Sequence, residues 1–148
     1  MEYYECKVRY QREIGEGKLQ KQSDTYLIEA VSFGDAEERV LIEVKPFVFM
    51  GQEIEMRSIR KVVYNEVLHN PQGHFWFKAK VVLTTVDESE GKEKKIKTNI
   101  LVQETDLEAA YKAVNKLMKN SITDYEITNV QITGIVDVIS LVKNVEAE

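Results

Sequence analysis

His69 and His74 bracket the turn His69-Asn70-Pro71-Gln72-Gly73-His74, and two imidazoles five positions apart can share a metal, with Glu66 or Asp87 joining them. No CxxC or HExxH pattern accompanies them, and loop histidines are ordinarily solvated polar residues, so no metal site is assigned. Cys6, the single cysteine, falls on the inward phase of an alternating strand, where a small apolar core residue is the default and a reactive thiolate is not expected. Ser23, Ser32, Ser58, Ser89, Ser121 and Ser140 sit in no G-x-S-x-G elbow. The glycines are scattered singly and build neither a phosphate-cradling loop nor a dinucleotide fingerprint. Acidic pairs such as Glu37/Glu38 and Asp87/Glu88 are what solvated helix and turn faces carry. The sequence therefore assigns no catalytic residue, no metal and no cofactor, and a non-enzyme is expected.

The cations show more order. Lys78 and Lys80 fall on the outward phase of one strand together with Trp76. Arg57, Arg60 and Lys61 open a long strand, and Lys92, Lys94, Lys95 and Lys97 line a hairpin. A sheet face with interleaved basic and aromatic side chains is one way to hold single-stranded nucleic acid. The simpler reading is a solvated antiparallel face whose cations pair with Glu5, Glu29, Glu93 and Glu126. An exposed Trp76 beside Val82 and Val86 would instead mark a protein contact, and unpaired sheet edges offer strand addition or self-association. The candidate interaction surface is thus Trp76, Lys78, Lys80, Arg57, Arg60, Lys94 and Lys95.

Composition narrows the partners. A net charge of −5 weighs against a general phosphate-backbone binder, whose affinity comes largely from cations displacing counterions. With 43% hydrophobic and 30% charged residues the chain reads as globular. No apolar run approaches the roughly 18 residues of a membrane span. Met1 to Lys7 lacks a basic region followed by an apolar stretch, so no secretory signal is read there and a cytoplasmic protein without membrane partners is expected.

These residues are positioned by one unit written twice. Tyr4, Cys6, Val8 and Tyr10 alternate with Glu5, Lys7, Arg9 and Gln11, the period of a half-buried strand. Glu13 to Lys18 turns the chain back into a strand over Asp24 to Ala30. Ser32 then caps a helix with apolar positions Phe33, Ala36, Val40 and Val44, ended by Pro46. A final strand, Glu53 to Leu68, closes the copy. The second copy runs His74 to Thr85, a turn over Asp87 to Lys92, a strand from Lys97 to Gln103, and a helix with Leu107, Ala110, Tyr111, Val114, Leu117 and Met118. Thr105 caps that helix in a box with Glu108, and the long strand Asp124 to Ile139 closes the copy. Aligning Cys6-Lys7-Val8-Arg9 with Phe77-Lys78-Ala79-Lys80 makes the second hairpin three residues longer. A shift of apolar phase within each final strand predicts a bulge or bend, with Gly134 a natural site.

The expected class is α+β: tandem duplicated β-β-α-β units with mainly antiparallel sheet, one helix per unit and a pseudo-twofold arrangement. The expected boundaries are residues 1–69, residues 70–139 and a polar tail over 140–148, the two units sharing one compact domain.

Several segments resemble a family of uncharacterised proteins of about this length from Bacteroidetes genomes and their phages. They include Lys7-Val8-Arg9-Tyr10, Tyr26 to Phe33, Asp35-Ala36-Glu37, Phe77 to Val81, Leu101-Val102-Gln103, Asp124 to Ile127 and Ile135 to Val138. The resemblance implies a bacterial or phage setting and carries no site residue. Element order and Leu27 to Glu38 are also similar to modules of an archaeal and eukaryotic large-subunit ribosomal protein, which are strongly basic as this chain is not. The function expected is a non-enzymatic intracellular binding or accessory protein acting through a sheet face or edge, with a protein partner or self-association. A nucleic-acid-associated role is the alternative, and a small ligand held between the halves the second.

Overall fold

The computed structural model describes residues 2–140. The protein is α+β, with two four-stranded sheets and one α-helix in each of two compact units.

In the first unit β1 (Glu2–Gly15) and β2 (Lys18–Ala30) form a long hairpin. Its two-residue turn has positive φ at Glu16 (47°) and Gly17 (78°), the twist that matches flanking strands. Ser32 accepts from the Asp35 N–H (3.1 Å) while Asp35 accepts from the Val31 N–H (3.1 Å), and this pair starts α1 (Phe33–Val44). The bond from the Val31 N–H, with Arg39 adding to it, holds the Asp35 carboxyl below its ordinary range. Ala36, Val40 and Val44 recur on one helix face and bury against Tyr4, Cys6, Val8, Tyr26 and Ile28, the side of the sheet that alternation assigned to the core. Burial of this kind stabilises by about 1.5–3 kcal/mol per large side chain. β3 (Glu55–Val62) pairs antiparallel with β1.

The second unit repeats this order with β5 (Phe75–Asp87), β6 (Lys92–Glu104), α2 (Leu107–Lys119) and β7 (Asp124–Ile132). Its core is built from Phe77, Ala79, Val81, Ile100, Val102, Ala110, Val114 and Met118. The cap of α2 is Asp106, whose carboxylate accepts from the Ala109 N–H at 2.8 Å. It is not the expected Thr105, because Asp106 holds the position that Ser32 holds before α1.

Each expected final strand is two strands in different units. After β3 the chain passes at Tyr64 into the second unit, where β4 (Glu66–Leu68) pairs in parallel with β6. After β7 it returns at Gly134 to the first, where β8 (Ile135–Ile139) pairs in parallel with β2. The sheet orders are β3-β1-β2-β8 and β7-β5-β6-β4, the same arrangement twice. The first unit therefore runs to Val63 and resumes at Gly134, and the second is Tyr64–Thr133, in place of a division at 69 and 139. Of the expected tail, residues 141–148 lie outside the described residues.

The registers also move one expected alignment. A bulge falls between Lys7 and Val8 in one ladder and between Lys80 and Val81 in the other, opposite Arg57 and Thr128. Cys6 is thus equivalent to Ala79, two residues beyond Phe77, and most of the expected difference in hairpin length disappears. A two-residue slip keeps every side chain on its face, so alternation alone cannot detect it.

Candidate functional site

The expected interaction surface does not assemble as one surface. Arg57 and Arg60 lie on β3, Trp76, Lys78 and Lys80 on β5, and Lys94 and Lys95 on β6, so the set is divided between two sheets. Arg57 pairs with Glu55 at 2.8 Å and Arg60 with Glu5 at 3.1 Å. Such partly exposed pairs fix side-chain geometry more than they add stability. Trp76 is on the helix-free phase, as expected, but it is 3% exposed, not open to solvent. Its ring meets His69 edge-on with centroids 5.4 Å apart, and its carbonyl accepts from the Thr133 N–H (2.9 Å) and hydroxyl (2.7 Å). Register puts Thr84 opposite Lys95 and Thr85 opposite Lys94, so those two lysines face opposite sides. What remains on the helix-free side is Lys78, Lys80, Lys95 and Lys97. Lys78 stands 5.9 Å from the centroid of the Tyr64 ring, a cation–π distance. Glu93, Asp124 and Glu126 share that side by register.

Among the described residues no three His, Cys, Asp or Glu side chains gather in a way that could hold a metal ion. Cys6 is fully buried, and burial pushes its thiol up to about 11, with the charges of Glu5 and Glu37 adding to the rise. It stays protonated at neutral pH. A thiol reagent is therefore expected to find no reactive cysteine in the native protein and one per chain after denaturation. Prompt native labelling would contradict that placement.

The feature that sequence reasoning missed is on the helix side of the first unit. Lys45–Ile54 joins α1 to β3, ten residues where the second unit uses four, Asn120–Thr123. The segment opens as a 3₁₀ turn over Lys45–Phe47 around Pro46. It is tied to β1 by the Phe49 N–H donating to the Gln11 carbonyl at 2.8 Å, and reverses at Gly51, whose φ of 86° suits glycine. Between this segment and α1 lies an open groove of about 820 Å³. Leu41, Ile42, Val48, Phe49, Met50 and Ile54 line it, with Glu38, Lys45 and Glu53 as its charges. Ile42 is 64% and Met50 90% exposed, and Phe47 beside them 59%. Binding residues are found disproportionately on surface connections held by a rigid scaffold, and an exposed methionine adapts to varied partners. The run Pro46-Phe47-Val48-Phe49-Met50 was the available signal, apolar residues after a helix stop with no strand period.

Beneath the same end of the unit, the buried Asp24 carboxylate accepts from the Tyr10 hydroxyl (2.7 Å) and the Gln22 amide (2.8 Å). Burial, then the bond to Asp24, raises the Tyr10 phenol, and burial lifts Tyr26 to about 12. The equivalent positions on the second sheet are Leu83, Ile96, Thr98 and Ile100, so the polar cluster belongs to the first unit alone.

Fold and surfaces together define a two-unit α+β protein whose first unit carries an open apolar groove. The family model described as a domain of unknown function (DUF4494) matches residues 2–141, and the chain belongs to that family. No curated protein and no solved structure matches it. Among the described residues no helix is long and apolar enough to cross a membrane.

Proposed function

We propose that this is a non-enzymatic binding or accessory protein whose first unit captures an apolar, basic helical segment of a partner protein in the groove between α1 and Lys45–Ile54. The observation that carries the reading is the added segment itself, which builds a concave apolar surface that the four-residue connection of the second unit does not. Helix-in-groove recognition uses apolar anchors at i, i+3, i+4 and i+7, and an open groove lined by apolar side chains suits such a row. Charge favours a basic partner. Glu38 and Glu53 outnumber Lys45 along the groove, and α1 adds Glu37 and Glu43, while Asp35 is occupied by Arg39 at 3.1 Å. The setting we propose, a bacterial or phage cytoplasm, rests on the sequence resemblance alone.

Nucleic acid has less support as the partner. Trp76, the stacking platform such a site would use, is buried, and Arg57 and Arg60 are held by carboxylates. Lys80, Lys95 and Lys97 remain as its basis.

The test is a fluorescence-anisotropy titration with a labelled peptide of leucines at helical spacing and lysines elsewhere. Ile42→Glu with Met50→Glu is expected to weaken binding at least about tenfold, a loss of about 1.4 kcal/mol, while the melting temperature holds because both side chains are exposed. Equal affinity for both proteins would refute the groove.

A further inference from the structure

The two sheets expose equivalent edges that differ in chemistry. β3 ends one sheet and β7 the other. An edge strand offers unpaired N–H and C=O groups, and natural sheets guard such edges with charges and bulges. Both strands carry the bulge, at Arg57 and Thr128. Past it, β3 reads Arg57-Ser58-Ile59-Arg60-Lys61, with ion pairs to Glu55, Glu5 and Glu2. The equivalent stretch of β7 reads Thr128-Asn129-Val130-Gln131-Ile132 and carries no charge. The bulge is common to both, so one edge is additionally guarded by charge and the other is open to pairing beyond its bulge.

The open edge also has apolar surface beside it. Two cavities of about 540 and 400 Å³ lie between α2 and β7 and share Leu107 and Val130. Leu107 is 51% and Ile132 58% exposed, with Phe75 and Tyr111 close to half exposed next to them.

We infer that β7 pairs antiparallel with β7 of a second copy, centred on Val130. That register sets Val130 opposite Val130, Asn129 opposite Gln131 and Thr128 opposite Ile132. Both Asn129–Gln131 pairs fall on the helix-free side, where the two side-chain amides can exchange hydrogen bonds. The copy's Val130 and Ile132 extend the sheet floor beneath the cavities flanking Leu107, adding apolar burial to the backbone ladder. A twofold pairing is isologous, so it closes at two chains. The same operation on β3, centred on Ile59, would set Arg57 opposite Lys61 twice, a like-charge arrangement that disfavours pairing, with Ser58 opposite Arg60 between them. The inference is independent of the groove in the first unit.

Sedimentation equilibrium of the full chain up to about 100 μM tests it, the range in which a small interface associates. The native chain is expected to show a monomer–dimer equilibrium. Asn129→Lys with Gln131→Lys, both at exposed positions, places lysine opposite lysine twice and is expected to weaken dimerisation at least about tenfold. Asn129→Glu with Gln131→Glu is expected to do the same, and an equimolar mixture of the two variants to restore the dimer as a heterodimer. A native chain that stays monomeric, a lysine variant that still dimerises, or a mixture that fails to pair would overturn it. A monomeric chain that instead protects β7 amides on binding another protein would assign the edge to a foreign strand and overturn it equally.

Discussion

Gly73→Ala is expected to lower the unfolding free energy by about 3 kcal/mol, although it adds one methyl group to a turn. A Cβ at Gly73 would lie 2.6 Å from the nitrogen of Glu104, 2.7 Å from its Cα and 2.9 Å from the carbonyl carbon of Gln103. All three are backbone atoms of β6, so no rotamer change relieves the contact. The turn cannot retreat either. The Gly73 N–H donates to the Asn70 carbonyl (2.8 Å) and the Gln103 amide donates to the Gly73 carbonyl (3.2 Å). The Asn70 N–H donates to Gln103 (3.1 Å), and the Asn70 amide to the Glu104 carboxylate (3.1 and 3.2 Å). Gly134→Ala is the matched control, since no heavy atom lies within 4 Å of its Cβ position, and a change within about 0.5 kcal/mol is expected. Urea midpoints compare the two. Equal midpoints would show that the close approach at Gly73 is not a constraint.

The second large effect is displaced along the chain. Val138 is 9% exposed and stands opposite the fully buried Leu27 in the β2–β8 ladder. Val138→Asp puts a carboxylate on that buried face, at about 3 kcal/mol or more. Because β8 belongs to the first sheet, hydrogen exchange is expected to accelerate in β1 and β2, more than a hundred residues upstream, before β5 and β6 respond. Val67→Asp on β4 is expected to show the converse, loosening β6, because Val67 stands opposite Leu101. Deprotection confined to β7 in the Val138 variant would mean that residues 124–139 act as one strand.

Local periodicity carried the sequence reading well as far as it reaches. The spacing of Phe33, Ala36, Val40 and Val44, the cap at Ser32 and the stop at Pro46 locate α1, which runs Phe33–Val44, and alternation assigns Tyr4, Cys6, Val8 and Tyr10 to the buried side. Three things lie beyond it. The phase shifts after Ile59 and Ile132 are visible, but whether the strand bends or leaves its sheet depends on pairings distant in sequence. The face of Trp76 follows from parity, whereas its burial depends on what covers that face. The groove residues of the connection obey no period, since Val48, Phe49 and Met50 stand in a segment tied by a backbone bond to Gln11 and reversed at Gly51. Periodicity therefore pointed to the sheet surface, and this groove lies on the helix side.

Amide and methyl chemical-shift mapping on isotope-labelled protein, titrated with the leucine–lysine peptide and separately with oligothymidine at low salt, tests the binding account most directly. The account predicts that the peptide shifts Ile42, Phe49, Met50 and Ile54 and leaves the lysine face quiet, while the oligonucleotide shifts nothing. Shifts at Lys80, Lys95 and Lys97 with oligothymidine, and none along α1 and Lys45–Ile54 with the peptide, would contradict it.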